Sequence, residues 1–277
     1  MALLFRFLFR LLARLPLAAL HNLGALAGWL IFAASPAYRR HLGENMTQAG
    51  VPAQRRAAIA EAGKTLLELP FLWLRPKADV TEQVVRVTGW EFVEAAWASG
   101  RGILFLTPHL GCFEIAAQYY AERRPLTVLY RRPRQGWLAE LIEFGRGARC
   151  KLAAADLGGV RRLIRALKAG EAVGVLPDQA PAAGEGVWAP FFGRPAYTMT
   201  LAPRLAQAGV AVIFAYAERL PYGAGYHLKL FPPAGPIETP ADVNREIERL
   251  VRMCPAQYLW GYNRYKRPAG APPAPQP

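Results

Sequence analysis

Residues 102–114 read Gly102-Ile103-Leu104-Phe105-Leu106-Thr107-Pro108-His109-Leu110-Gly111-Cys112-Phe113-Glu114. The apolar run 102–106 has the length and composition of a buried strand. Pro108 and Gly111 then punctuate the chain, and 112–122 resumes with helical spacing. Strand, turn and helix in that order form one unit of an α/β sheet. His109 falls on the turn and Glu114 in the first turn of the helix. That is the edge at which open α/β sheets carry their sites. A helix N-terminus favours negative charge. A carboxylate beside His109 would orient the ring and stabilise the imidazolium formed when it takes a proton. The other histidines, His21, His41 and His227, have Leu26, Met46 and Pro232 at the same offset. A satisfied loop histidine is the plain alternative.

Outward from this unit the alternation continues. Pro52 to Leu74 reads as one long helix, with proline suited to its first turn. Residues 83–88 read as a strand, and 90–99 as a helix stopped by Gly100. Strand 126–130, helix 136–146, helix 158–169 and strand 172–176 follow. A loop occupies 177–193, then helix 198–208, strands 210–217 and 226–231, and helix 240–253. This succession predicts an α/β fold: a single domain over 36–268 with a mainly parallel or mixed sheet flanked by helices. Residues 269–277, rich in Pro and Ala, are expected to be a disordered tail.

Residues 15–35 carry no Lys, Arg, Asp or Glu, long enough to cross a bilayer. Before them Arg6, Arg10 and Arg14 recur every four residues among Leu and Phe, a basic stripe suited to anionic lipid. Residues 1–35 are therefore expected to form an N-terminal membrane anchor helix. A cleaved signal peptide and a buried core helix are the rival readings. Arg39 and Arg40 flank the far side, so loop charge leaves the orientation open.

The 277 residues hold 34 Lys and Arg against 20 Asp and Glu, a formal charge of +14. Such a balance points to acidic partners: phosphates, anionic headgroups, nucleic acid or an acidic protein. The basic residues are scattered and no recognised module appears, so nucleic acid is not expected. The 3 cysteines are far apart, without disulfide or zinc spacing. Neither serine, Ser35 nor Ser99, sits in a nucleophile elbow. Gly63-Lys64-Thr65 resembles the end of a phosphate loop, but Ala58 stands where its first glycine belongs. Cys112 is either a thiol nucleophile or an apolar core residue. Tyr130-Arg131-Arg132-Pro133-Arg134 ends a strand, which brings its arginines to the edge that bears His109. There Arg131 and Arg132 can bind phosphate or an oxyanion, or form a solvated basic turn. Leu176-Pro177-Asp178-Gln179 ends another strand; Asp178 either fixes an arginine or a substrate group, or is an ordinary turn residue. Trp188, Phe191 and Phe192 are either core or the border of an apolar tunnel.

Taken in order, His-Leu-Gly-Cys-Phe-Glu from 109, Leu-Tyr-Arg-Arg from 129, Leu-Pro-Asp-Gln from 176, Pro-Phe-Phe-Gly from 190, Thr198, and Gln-Tyr-Leu-Trp-Gly-Tyr-Asn-Arg-Tyr-Lys-Arg-Pro from 257 resemble the bacterial lipid A biosynthesis acyltransferases. These are lauroyl and myristoyl transferases of the lysophospholipid acyltransferase superfamily. The resemblance implies transfer of an acyl chain from acyl carrier protein to a hydroxyl of a phosphorylated glycolipid at the cytoplasmic face of the inner membrane. It needs no cofactor or metal beyond the acyl carrier protein thioester. It implies His109 as general base, Glu114 as its orienting partner and Arg131 as a phosphate or oxyanion contact. Cys112 stands where the family has Asn. Gly261-Tyr262-Asn263 replaces a more basic stretch, and Arg132 and Arg134 alter the usual Pro and Asn. Other readings are a different glycolipid or phospholipid acceptor, a Cys112-dependent thioesterase, and a non-catalytic protein binding anionic lipid.

Overall fold

The computed structural model describes residues 2–133 and 135–275. Helices α1 (Ala2–Ala13), α2 (Leu17–Ala34), α3 (Pro36–Gln48), α4 (Arg55–Leu67), α5 (Leu69–Leu74) and α6 (Lys77–Thr81) come first. Strands and helices then alternate through β1 (Val84–Thr88), α7 (Trp90–Ala98), β2 (Ile103–Leu106), α8 (Phe113–Ala121), β3 (Leu126–Tyr130), α9 (Gly136–Gly147), β4 (Lys151–Ala154), α10 (Leu157–Lys168) and β5 (Ala172–Val175). A hairpin of β6 (Gly186–Phe191) and β7 (Arg194–Met199) precedes α11 (Leu201–Ala206), β8 (Ala211–Arg219), β9 (Tyr226–Phe231) and α12 (Pro240–Met253).

Seven strands form one sheet in the order β1-β9-β8-β2-β5-β3-β4. Neighbours run parallel except β8 and β9, which pair antiparallel. The expected mixed α/β domain is therefore the observed one. Every residue of β2 and β5 is buried, because helices cover both faces of the sheet. One core joins α4, α10 and α12 to Leu104, Leu106 and Val173; the other joins α2, α5 and α8 to Ile103, Phe105 and Ala172.

Three local differences have physical causes. The helix expected from Pro52 to Leu74 is broken between α4 and α5 at Glu68, next to Pro70, which has no N–H to continue the ladder. Strand β4 was not foreseen: its sequence Lys-Leu-Ala-Ala has no β-branched residue, and only Ala153 is buried. The β6–β7 hairpin replaces part of a loop and the start of an expected helix. Pro190 faces Pro195 across it, so neither lacks a donor that the ribbon needs.

The N-terminal segment does not stand apart from the domain at residue 35. Helix α2 lies backbone to backbone on α4, at Gly24, Gly28 and Gly63. A Cβ on Gly63 would sit 1.9 Å from the Gly24 carbonyl oxygen, and one on Gly28 2.1 Å from that of Ile59. Leu17 and Leu20 enter the core with Phe71 and Trp73. Arg75 donates to the last carbonyls of α1 and its turn, those of Ala13, Arg14 and Leu15, at 2.7, 2.9 and 3.1 Å. The opposite side of the two helices, Phe7, Leu8, Leu11, Leu23, Leu26, Trp29, Leu30 and Ile31, is exposed and apolar. At the other end, within the segment expected to be a disordered tail, Ala271 is buried and the Pro272 carbonyl accepts from Trp188 Nε1 at 3.0 Å; residues 276 and 277 lie outside the described residues.

Candidate active site

Strand β2 delivers the chain to the turn 107–112, and β5, its parallel neighbour, delivers Asp178 beside it. The two strand ends meet at the carboxyl edge of the sheet, where the sequence places the site. His109 Nδ1 donates to Asp178 Oδ1 at 2.8 Å, and the His109 backbone N–H donates to Oδ2 at 2.9 Å. Asp178 is 2% exposed. Burial alone would raise its pKa, but the His109 ring and both hydrogen bonds outweigh that and hold it below the usual value. The carboxylate therefore stays ionised and fixes the ring proton on Nδ1, which leaves the Nε2 lone pair available. Gln179 places its amide nitrogen 3.2 Å from Nε2. The Phe113 ring packs edge-on to the imidazole at 4.9 Å.

His109 also lines a cavity of about 160 Å³, together with Phe113, α4 and α5 residues such as Thr65 and Leu69, and the segment 257–259. A second, smaller apolar space of about 40 Å³, also lined by Phe113, lies between Phe105, Tyr120, Val128 and Gly174. An imidazole with one nitrogen tied to a buried carboxylate, beside an apolar cavity, can remove a proton from a hydroxyl that reaches its other nitrogen.

Glu114 is in the first turn of α8, as expected, but it is not the partner of His109. Its carboxylate turns the other way and is bound by Arg146 Nε at 2.7 and 3.0 Å, by Arg146 Nη2, and by Trp73 Nε1 at 3.2 Å. The helical first turn projects residue 114 into the α5–α9 side of the sheet, while the Gly111 turn points His109 toward β5. Asp178, expected as a contact to an arginine or the substrate, takes the orienting position instead. Arg131 and Arg132 are 61% and 67% exposed and pair with Glu185 at 3.2 Å and Glu143 at 3.3 Å. Both lie past the end of β3, and no contact links them to His109; Arg134 lies outside the described residues. Cys112 is buried against Glu68, and that burial pushes its thiol well above the ordinary value. A protonated, solvent-shielded thiol is a poor nucleophile. Phe191 and Phe192 are core residues, not the border of a tunnel. Arg146 and Gln179 were given no role, although Gln179 closes the quoted Leu176-Pro177-Asp178-Gln179 motif. Arg146 sits in an unremarkable amphipathic helix and has no local signal at all.

A family model described as Bacterial lipid A biosynthesis acyltransferase matches residues 1–267. The chain is 30% identical over 219 residues to the lipid A biosynthesis lauroyltransferase of Escherichia coli K12, covering 76% of this chain and 71% of that one. It is 28% identical over 231 residues to the lipid A biosynthesis palmitoleoyltransferase of the same organism, covering 78% and 74%. A lipid A biosynthesis acyltransferase of Haemophilus influenzae is 26% identical over 181 residues, covering 62% and 56%.

Proposed function

The chain belongs to the bacterial lipid A biosynthesis acyltransferase family, and on that premise we propose that it moves a fatty acyl chain from acyl carrier protein to a hydroxyl of a lipid A precursor, with His109 as general base. The observation that carries this reading is the pairing of His109 Nδ1 with buried Asp178 in a residue that also lines the apolar cavity. Nε2 takes the proton of the acceptor hydroxyl as its oxygen attacks the thioester carbonyl. The C–S bond then breaks from the tetrahedral intermediate, and the proton on Nε2 passes to the departing thiolate. Asp178 offsets the imidazolium charge between those two transfers. The Gln179 amide leaves Nε2 when the hydroxyl arrives and becomes a donor for the oxyanion.

The apolar lining of the two cavities that share Phe113 suits a hydrocarbon chain. The ion pairs of Arg131 and Arg132 are exposed and weak, so a phosphate of the acceptor can displace either carboxylate at little cost. The exposed apolar side of α1 and α2, with Arg10 and Arg14 beside it, supports residence at the inner membrane; the cytoplasmic face follows from the proposed acyl carrier protein donor. Of the helices described, α2 is long and apolar enough to cross a membrane.

Mass spectrometry of lipid A from a deletion strain tests the assignment. Loss of one acyl chain, restored by the wild-type protein and not by His109→Ala, is the expected result. Unchanged lipid A in the deletion strain would remove the acceptor assignment. Full restoration by His109→Ala would remove the base.

A further inference from the structure

The turn that carries His109 is held by a buried ionic cluster outside the reaction described above. Arg219, the last residue of β8, has a side chain only 1% exposed. Its Nε and Nη2 fork onto the Glu68 carboxylate at 2.8 and 2.6 Å. Nη2 also reaches Thr65 Oγ1 at 2.8 Å and the backbone carbonyl oxygen of Gly111 at 2.9 Å. Tyr226 donates its hydroxyl to the same carboxylate at 3.0 Å, His21 of α2 approaches it at 3.4 Å, and Glu61 lies 3.5 Å from Nη1. Burial pushes the Glu68 carboxyl up, yet Arg219 and His21 together hold it down at about 2. The Glu68 carboxylate therefore stays ionised at neutral pH.

Gly111, two residues past His109, has φ +61°, and a Cβ there would lie 2.1 Å from the Ala217 carbonyl oxygen. The turn therefore depends on its neighbours to hold a conformation that other residues rarely adopt. The Gly111 N–H donates to the Gln257 carbonyl at 3.0 Å, and the Leu259 N–H to the His109 carbonyl at 3.0 Å. Gln257 in turn clasps the backbone of Arg219: its Oε1 accepts from the Arg219 N–H at 2.8 Å, and its Nε2 donates to the Arg219 carbonyl at 3.0 Å. Arg219 thus grips the catalytic turn twice, through its guanidinium and through the segment that pairs with the turn.

A buried ion pair is weak evidence for stability, because desolvation offsets much of its attraction. What the guanidinium supplies is direction. Forked on Glu68, its plane is fixed, and the remaining Nη2 side is aimed at the Gly111 carbonyl. We propose that Arg219, locked on Glu68, is a positioning residue of the acyl transfer that sets the Gly111 carbonyl and through it the place of His109 at the cavity. This rests on His109 being the base. A displacement of about 1 Å at a reacting group costs on the order of 10²-fold in rate.

The test uses the full chain, acyl carrier protein loaded with a fatty acid as donor, and a lipid A precursor in detergent. Arg219→Met combined with Glu68→Met removes both charges and leaves neither buried alone. Arg219→Lys keeps a charge on Glu68 but cannot fork onto it and reach Gly111 as well. Each variant is expected to keep the wild-type circular dichroism and donor KM within about twofold, while kcat falls about 10- to 100-fold. A merely structural role would lower the folded fraction and leave the kcat of what remains unchanged. Wild-type kcat in either folded variant overturns the proposal, and the lysine variant decides should the double variant not fold. His109→Ala measured alongside separates the two claims: if it turns over normally the base assignment fails, whereas its inactivity beside a fully active Arg219 variant sinks only the positioning role.

Discussion

Asp178 has two oxygens and two donors to satisfy, the His109 ring and the His109 backbone. An Asn there has one acceptor oxygen and one amino group, so one N–H of His109 would face another donor. Asp178→Asn is therefore expected to lower kcat by on the order of 10²-fold or more, with KM changed far less. Steady-state rates on the purified variant check this, and an unchanged kcat would remove Asp178 from the pair. Cys112 points the other way. Its thiol is buried, and that burial pushes its pKa well up, against the thiolate that a nucleophile needs. Cys112→Ser should keep most of the transfer rate, and intact-protein mass spectrometry during a single turnover should find no acyl adduct. A trapped thioester on Cys112 would restore the hydrolase reading.

Among the elements, α2 has a packing face that its sequence does not disclose. Its uncharged sequence fits a free anchor as well as a packed helix, because Gly24 and Gly28 reveal their use only beside Gly63. The contact buries Leu17 and Leu20 and brings His21 to Glu68. Removal of residues 1–35 is therefore expected to unfold the domain or leave it molten, read by near-ultraviolet circular dichroism and a lost cooperative melt. A truncated protein that melts as sharply as the full chain would show that α2 is only an anchor. Strand 102–106, helix 112–122 and strand 172–176 were legible because apolar runs end on Pro or Gly, and with them the edge that holds His109 and Asp178. The partner of His109 was not legible. Residue 114 is nearer in sequence, but β2 and β5 are neighbours in the sheet, and that pairing bridges 69 positions that no local pattern records. The short strand β4 and the hairpin holding Pro190 were lost for want of branched side chains and through proline.

For the molecule as a whole, the buried cluster around Arg219 ties stability to acid. Glu68 has its pKa lowered from 4.5 to about 2, so its contribution is complete above the unfolded value and is lost as pH falls from about 4.5 toward 2. Linkage puts that loss on the order of 3 kcal/mol. Urea melts across this window should show it, and Glu68→Gln should lack it; equal acid sensitivity in both proteins would mean that Glu68 is not the group responsible. The same cluster joins α2, α4, β8 and β9 to the turn beneath His109, so the fold and the site share one support. The formal charge of +14 suits the acidic carrier protein and phosphorylated lipid proposed as substrates. The most direct measurement is the rate of acyl transfer by purified, folded His109→Ala with acyl carrier protein as donor. A fall on the order of 10²–10⁴-fold with membrane binding intact is the predicted result. Turnover close to wild type would contradict the general-base account.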